Sequence, residues 1–121
     1  MHTFTIDRAA GLIDEVFQGE VEPSTVKEAD EAILAHPDYT RGLRVLTDLR
    51  EARILFGYKE MSSLVRYELV ELHIARQAFV VESDEVYGMI RMFLTLADDQ
   101  TDFQDARIFR NREEALEWLN S

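Results

Sequence analysis

Two adjacent serines, Ser62 and Ser63, are the residues whose position best suggests regulation by covalent modification. They lie near the start of segment 59–72, whose apolar residues recur at helical spacing. A phosphate close to a helix N-terminus interacts favourably with the helix dipole and with free backbone N–H groups, and it adds close to two negative charges. The pair is therefore a candidate phosphoacceptor site, unless both serines lie a full turn inside the helix as ordinary helical residues.

Residues that could bind a metal or catalyse a reaction do not occur at the spacings typical of metal sites or active sites. The chain has no cysteine, and its three histidines are too far apart in sequence to form an HExxH motif. The acidic run 98–105 lacks the glycine and glutamate positions of a calcium-binding EF-hand loop. None of the motifs GxSxG, GxxxxGK[ST] and GxGxxG is present. We therefore predict no metal site, no cofactor, no catalytic residues and no enzymatic activity.

A cluster of large apolar side chains in segment 50–58, which we expect to be a loop, is a candidate contact surface. The cluster consists of Ile54, Leu55, Phe56 and Tyr58. Loops that carry exposed apolar residues often mark surfaces that contact another protein. The expected partner is another protein or a second copy of this chain, which would make a homodimer. The alternative is a loop that folds back onto its own core.

A second apolar group would lie between two predicted helices and the sheet, and it consists of Leu69, Met89, Met92 and Phe93. Methionine side chains are flexible and adapt to irregular apolar ligands. These residues are therefore a candidate pocket for a lipid or another apolar ligand, although the same spacing is also typical of an ordinary core. Protein–protein interaction is the leading functional hypothesis, and carriage of an apolar ligand is the alternative.

The charge balance restricts the classes of partner. Thirteen Lys and Arg residues against 24 Asp and Glu residues give a net charge of −11. Because such a chain repels polyanions, we expect no nucleic-acid partner. No stretch approaches about 18 consecutive apolar residues, and no basic N-terminal region precedes an apolar run. The sequence therefore predicts no stable membrane insertion and favours a cytoplasmic location.

Hydrophobic periodicity divides the chain into alternating strands and helices. Short alternating or apolar runs predict five strands, at 3–7, 12–18, 43–49, 78–81 and 106–109. Apolar stripes predict four helices, at 24–36, at 59–72, from 84 to about 97, and after Asn111. The order β-β-α-β-α-β-α-β-α predicts a single α/β domain over residues 1–121. Its mixed, largely parallel sheet would have about five strands, begin with a hairpin and pack against about four helices.

Polar residues at the helix starts predict where three of the helices begin. Thr25 with Glu28, and Asn111 with Glu114, have the spacing of a capping box. Ser83 precedes the third helix and can accept a hydrogen bond from its first turn.

Several segments resemble the SpoIIAA-like branch of the STAS domains. The most specific is YGMIRMF at 87–93. Weaker similarity lies in GLRVLTDLR at 42–50, which corresponds to the central strand, in ARIFR at 106–110 and in EEALEWL at 113–119. Gly19 matches the end of the second strand. The resemblance covers nearly the whole chain and implies the same order of elements.

The resemblance implies a protein that is not an enzyme and acts by binding. In the anti-sigma-factor antagonists of this family, a partner kinase phosphorylates a serine at the start of the helix after the central strand. The corresponding segment 50–58 contains no Asp-Ser-Ser/Thr-Gly type motif, and Ser62 and Ser63 match no position of that motif. The resemblance therefore does not extend to the phosphoserine switch. The branch is also compared with the lipid-carrying SEC14-like fold, which supports the apolar-ligand alternative.

Overall fold

The computed structural model describes residues 1–100 and 105–121, apart from the side chains of 65–71 and 98–100. Within these residues the strands and helices are β1 (His2–Asp7), β2 (Leu12–Val21), α1 (Pro23–Ala35), β3 (Arg44–Ile54), α2 (Tyr58–Glu71), β4 (Arg76–Val80), α3 (Asp84–Gln100), β5 (Ala106–Phe109) and α4 (Arg112–Leu119). No helix in the described ranges is both long enough and apolar enough to cross a bilayer.

The five strands form one mixed sheet in the order β1-β2-β3-β4-β5. β1 and β2 make an antiparallel hairpin, and the other neighbouring strands pair in parallel. Gly11 adopts a φ of 65° in the turn between β1 and β2, a conformation that glycine takes without a steric penalty. The predicted fold class, and the side-by-side arrangement of strands 43–49, 78–81 and 106–109, are confirmed.

Three helices cover one face of the sheet, which we call the three-helix face. Each parallel connection steps to the next strand in the same direction, and right-handed crossovers then place all their helices on one side. Ala29 of α1, Met61 of α2 and Ile90 of α3 accordingly share one buried cluster with Phe17 and Phe79 of the sheet. A smaller cluster around Ile13, Ile33 and Val45 completes the core on this side.

The opposite face is covered by α4, and we call it the α4 face. Ala115 and Leu119 of α4 pack on Leu46, Ala78 and Val80, which are fully buried. The Asn111 side chain accepts a hydrogen bond from the backbone N–H of Glu114 at 2.9 Å, so the predicted cap of this helix is confirmed.

Several elements differ from their predicted bounds, β2 and β3 among them. β2 and β3 remain paired as far as Val21 and Ile54, well beyond the predicted ends at 18 and 49, and the ladder passes an irregularity between Val16 and Gln18. Charged residues at the end of β3 hid this extension, because a strand with one solvent-facing side does not need an apolar run. The predicted loop 50–58 is consequently reduced to residues 55–57.

The predicted start of α1 was also wrong. The helix begins at Pro23, so Glu22 is the N-cap and Thr25 is the third helical residue. The Thr25 hydroxyl accepts a hydrogen bond from the Glu22 backbone N–H at 3.1 Å. The capping box therefore joins Glu22 and Thr25, and Glu28 lies outside it. α3 also continues to Gln100, three residues beyond the expected end.

Candidate functional site

A row of hydrogen-bonded polar side chains lies on the three-helix face, and we call it the polar row: His2, Glu15, Thr47 and Gln77. The Thr47 hydroxyl donates to Glu15 Oε2 at 2.6 Å, and Gln77 Nε2 donates to Thr47 Oγ1 at 3.0 Å. His2 Nε2 lies 2.8 Å from Glu15 Oε1. Glu15, Thr47 and Gln77 are 6%, 4% and 3% exposed, so the row is almost completely removed from water.

The sheet register brings these residues together. Glu15 of β2 lies directly opposite Thr47 of β3, and Gln77 of β4 is the partner of Val45, two residues before Thr47. Since side chains at alternate positions share a face, Glu15 points to the same side as its apolar neighbours Ile13 and Phe17. The strands therefore place a carboxylate, a hydroxyl and an amide within a face that is otherwise apolar.

The polar row forms part of the wall of a cavity of about 60 Å³ between the sheet and the helices. The other lining residues that the structure describes are apolar and come from β2, β3 and β4, from all three helices and from the β3–α2 connection: Phe17, Val21, Val26, Leu49, Ile54, Phe56, Met61, Leu64, Phe79, Ile90 and Phe93. On each strand the polar residue is the first to line the cavity, and the apolar ones follow towards the carboxyl end of the strand. The cavity therefore has one polar end and a long apolar wall.

The predicted contact cluster at the end of β3 is divided between the inside and the outside of the molecule. Ile54 and Phe56 are half-buried, pack on the core and line the cavity. Leu55 and Tyr58 are 40% and 63% exposed. Ile54 is the last residue of β3, and Tyr58 is the first residue of α2. The segment therefore presents one pair of side chains to the cavity and another to solvent.

The predicted pocket residues are only partly brought together. Phe93 is buried and lines the cavity, and its ring contacts Phe79 edge-on with 5.8 Å between the ring centroids. Met89 and Met92 are half-buried against the same core but do not line the cavity. Leu69 belongs to α2, and its side chain lies outside the described residues.

The two candidate phosphoacceptors occupy the second turn of α2. Ser62 is half-buried and Ser63 is exposed. Because α2 begins at Tyr58, they are its fifth and sixth residues, beyond the first turn in which the helix dipole acts most strongly.

A second polar group lies on the α4 face, and we call it the charge-balanced cluster: Asp14, Asp48, Arg50 and Arg112. Arg112, the first residue of α4, donates to Asp14 Oδ2 at 2.5 Å and to Asp48 Oδ2 at 3.2 Å. Arg50 donates to both oxygens of Asp48, with the shortest distance 2.9 Å. Two carboxylates and two guanidinium groups therefore neutralise each other beside an open groove of the sheet.

The environment of Asp48 shows how strong this pairing is. Burial of the Asp48 carboxyl raises its pKa, but hydrogen bonds from Arg50 and Arg112 outweigh that effect and hold the pKa below its usual value. The carboxylate is 5% exposed, so it remains charged in the interior because two cations hold it.

The polar row does not have the order of a hydrolytic triad. In such a triad a hydroxyl donates to an imidazole, and the carboxylate orients the imidazole from the other side. Here the carboxylate of Glu15 stands between Thr47 and His2, so the hydroxyl has no base that relays its proton. No group of three or more His, Asp or Glu residues positioned to hold a metal ion occurs in the part of the chain that the structure describes. This arrangement is suited to hydrogen bonding with a ligand.

Sequence reasoning did not find the polar row. The available signal was positional. Glu15 lies two residues from Ile13 and from Phe17, and Thr47 lies two residues from Val45 and from Leu49, so each polar residue shares a strand face with apolar ones. A carboxylate in the inward register of a strand indicates either a buried ion pair or a functional group.

Comparison with known proteins identifies the fold. A structure of an uncharacterised protein of the DUF3478 family from Shewanella loihica PV-4, described as having a SpoIIAA-like fold, superposes with a TM-score of 0.64. The two chains are 16% identical, and the alignment covers 98% of this chain and 93% of the Shewanella protein. No family model and no curated protein matches the sequence. At this identity the similarity establishes the fold and nothing further.

Proposed function

We propose that this chain, a SpoIIAA-like domain by its fold, acts by binding and not by catalysis, and that it takes up a small, largely apolar ligand in the cavity. One observation carries the proposal: the buried polar row faces an otherwise apolar cavity between the sheet and the helices. Ligand sites generally combine apolar walls with a few polar groups that fix the orientation of the ligand. A space that serves only packing has no need of a buried carboxylate.

The volume of the cavity limits the size of the ligand. About 60 Å³ is roughly four times the minimum space for one water molecule, and it is smaller than the ~150 Å³ cavity that binds benzene. The ligand we propose therefore has a short apolar chain, part of which extends through the open side of the cavity. A lipid carrier of the SEC14-like kind would require the helices to move away from the sheet.

A titration with 1-butanol, followed by methyl NMR, tests the proposal. We expect an affinity on the order of millimolar, because so small a ligand buries little surface. The methyl signals of Ile54, Met61 and Ile90 should shift, whereas those of Ile13 and Ile33 in the other core cluster should not.

A matched pair of variants on α1 provides the control. Val26 is half-buried and lines the cavity, so Val26→Phe should fill the space and abolish the shifts. Leu34 is also half-buried on α1 but packs in the other core cluster, so Leu34→Phe should leave the titration unchanged. Shifts that are equal in the two clusters, or that persist in Val26→Phe, would contradict the proposal.

Docking of a protein partner is a second candidate function, favoured by the exposure of Leu55 and Tyr58. The exposed Glu60 follows this segment, the exposed Arg53 and Lys59 lie beside it, and the chain as a whole carries a net charge of −11. We therefore assign the surface to a segment of another protein that is basic and carries apolar residues. The same net charge opposes binding of a second copy of this chain.

Pull-down from cell lysate with the double variant Leu55→Ser, Tyr58→Ser tests this second candidate. A basic partner should be lost in the double variant and at high salt, because apolar contact and charge attraction both contribute. The control variant Glu28→Ser, Glu31→Ser changes the exposed side of α1 and should retain the partner. A protein captured equally by all three forms would not use this surface, and a dimer that depends on Leu55 and Tyr58 would identify a second copy as the occupant.

A further inference from the structure

We infer that the cavity selects its ligand by head group: it accepts an alcohol or an amine next to Glu15 and rejects a carboxylate. The inference rests on the proposed binding function, since it concerns the same cavity. It follows from the direction of the hydrogen bonds in the polar row and from the charges around it.

The hydrogen bonds of the row all run towards Glu15. An ionised carboxylate only accepts, so the single hydroxyl proton of Thr47 must be donated to Glu15 Oε2. The Thr47 oxygen is then the acceptor for the amide nitrogen of Gln77, which fixes the orientation of that amide. Donation from both sides therefore converges on this carboxylate. Its two oxygens have about four acceptor positions, and the contacts with Thr47 and His2 occupy two of them.

The charge of Glu15 has little compensation on this face. Among the described residues that line the cavity there is no Lys or Arg, and the ion-pair partner that the structure gives Glu15 is His2, at 2.8 Å. Asp48 differs from Glu15 in this respect, because two guanidinium groups contact it. A ligand that donates a hydrogen bond, or carries a positive charge, supplies what Glu15 lacks.

Binding next to Glu15 should be unfavourable for a ligand that carries a carboxylate. Its head group would bring a second negative charge into a poorly solvated space beside Glu15, where like charges strongly disfavour joint ionisation. It would have to bind in its protonated form, or turn its head group away and bury only its alkyl chain. We expect such a ligand to bind at least about tenfold more weakly than the alcohol of the same length.

Three ligands with the same alkyl chain test the inference: 1-butanol, 1-butylamine and butyrate, each titrated against the protein with methyl NMR. At about 0.3 M salt, exposed charges are screened beyond roughly 6 Å, so the net charge of the protein does not decide the result. We expect 1-butanol and 1-butylamine to shift the Ile90 and Met61 signals, and butyrate to do so at least about tenfold more weakly.

Glu15→Gln and Glu20→Gln form a matched pair on β2. Glu20 is exposed and does not line the cavity, so Glu20→Gln should keep the selectivity of the wild type. Glu15→Gln removes the buried charge, so the affinities for butyrate and 1-butanol should come within about threefold of each other. The wild-type comparison of the three ligands needs no variant, and it tests head-group selection even if Glu15→Gln does not fold.

The outcomes separate this inference from the function on which it rests. Butyrate that binds the wild type as tightly as 1-butanol, with the same methyl shifts, would overturn head-group selection and leave ligand binding in place. An absence of shifts with all three ligands would overturn the proposed function itself. Unchanged rejection of butyrate in Glu15→Gln would show that another group, and not Glu15, is responsible.

Discussion

The two polar groups of this molecule are built from neighbouring residues of the same two strands, yet their charges are arranged in opposite ways. Asp14 and Glu15 are consecutive on β2, and Thr47 and Asp48 are consecutive on β3. Alternation along a strand sends one member of each pair to the α4 face and the other to the three-helix face. The charge-balanced cluster therefore has two cations for two carboxylates, whereas the polar row has one carboxylate and a histidine.

This difference supports a structural role for the charge-balanced cluster and the proposed binding role for the polar row. Arg112 joins α4 to β2 and β3, so the charge-balanced cluster fixes the helix against the sheet. A carboxylate that served the fold alone would be stabilised best by such a cation, because an isolated buried charge is costly. Within the described residues Glu15 faces the cavity without a guanidinium partner, which supports the proposal that a ligand completes it.

Removal of Arg112 should have the largest effect on stability. In Arg112→Met both Asp14 and Asp48 lose their contacts with α4, although Arg50 still compensates Asp48. Breaking a buried ion pair costs several kcal/mol, and because Arg112 is partly exposed we expect a loss of about 2 kcal/mol in the free energy of unfolding. Urea denaturation measures this loss.

Arg110→Met is the matched control for this prediction. Arg110 pairs with Asp84, which is almost fully exposed, and also contacts the Glu82 carbonyl and the Tyr87 ring; surface contacts of this kind contribute about 1 kcal/mol or less. A loss in Arg112→Met no larger than that in Arg110→Met would show that the charge-balanced cluster does not hold α4 to the sheet.

Thr47→Val breaks the polar row at its centre and should have a smaller effect. Valine has a similar volume but no hydroxyl, so Glu15 loses a donor and the Gln77 amide loses an acceptor. Because the cavity leaves room for water to replace these bonds, we expect a loss of about 1 kcal/mol in the free energy of unfolding. Thr5→Val, on the exposed side of β1, should be nearly neutral by the same denaturation experiment. A loss as large as that in Arg112→Met would mean that the polar row serves mainly to stabilise the fold.

The fold was predictable because its signals are local. The apolar stripe of α3, the buried run in β4 and the Asn111 cap each depend on residues within one element. The extension of β3 to Ile54 was not predictable in the same way, because it depends on pairing with β2 across the sheet. The periodicity of either strand alone does not indicate how far the two strands pair.

The candidate site was less predictable than the fold. Phe93 was expected in a pocket and lines the cavity, and Ile54 and Phe56 line it although they were expected on a contact surface. The polar row depends on the register of β2, β3 and β4, so three residues far apart in sequence become neighbours only once the sheet has formed. The local indications of this site were that Glu15 shares a strand face with Ile13 and Phe17, and Thr47 with Val45 and Leu49.

The acid sensitivity of Asp48 gives the smallest expected effect and defines the comparison most sharply. Its pKa in the folded state lies below the unfolded value, so the carboxylate contributes stability above about pH 4, and this contribution is lost as the pH falls through the folded pKa. The free energy of unfolding of the wild type should therefore fall more steeply between about pH 5 and pH 3 than that of Asp48→Asn. Asp84→Asn should follow the wild-type curve, because Asp84 is almost fully exposed. If Asp48→Asn instead ran parallel to the wild type over this range, the two guanidinium groups would not be holding the Asp48 charge, and the contrast with Glu15 would disappear.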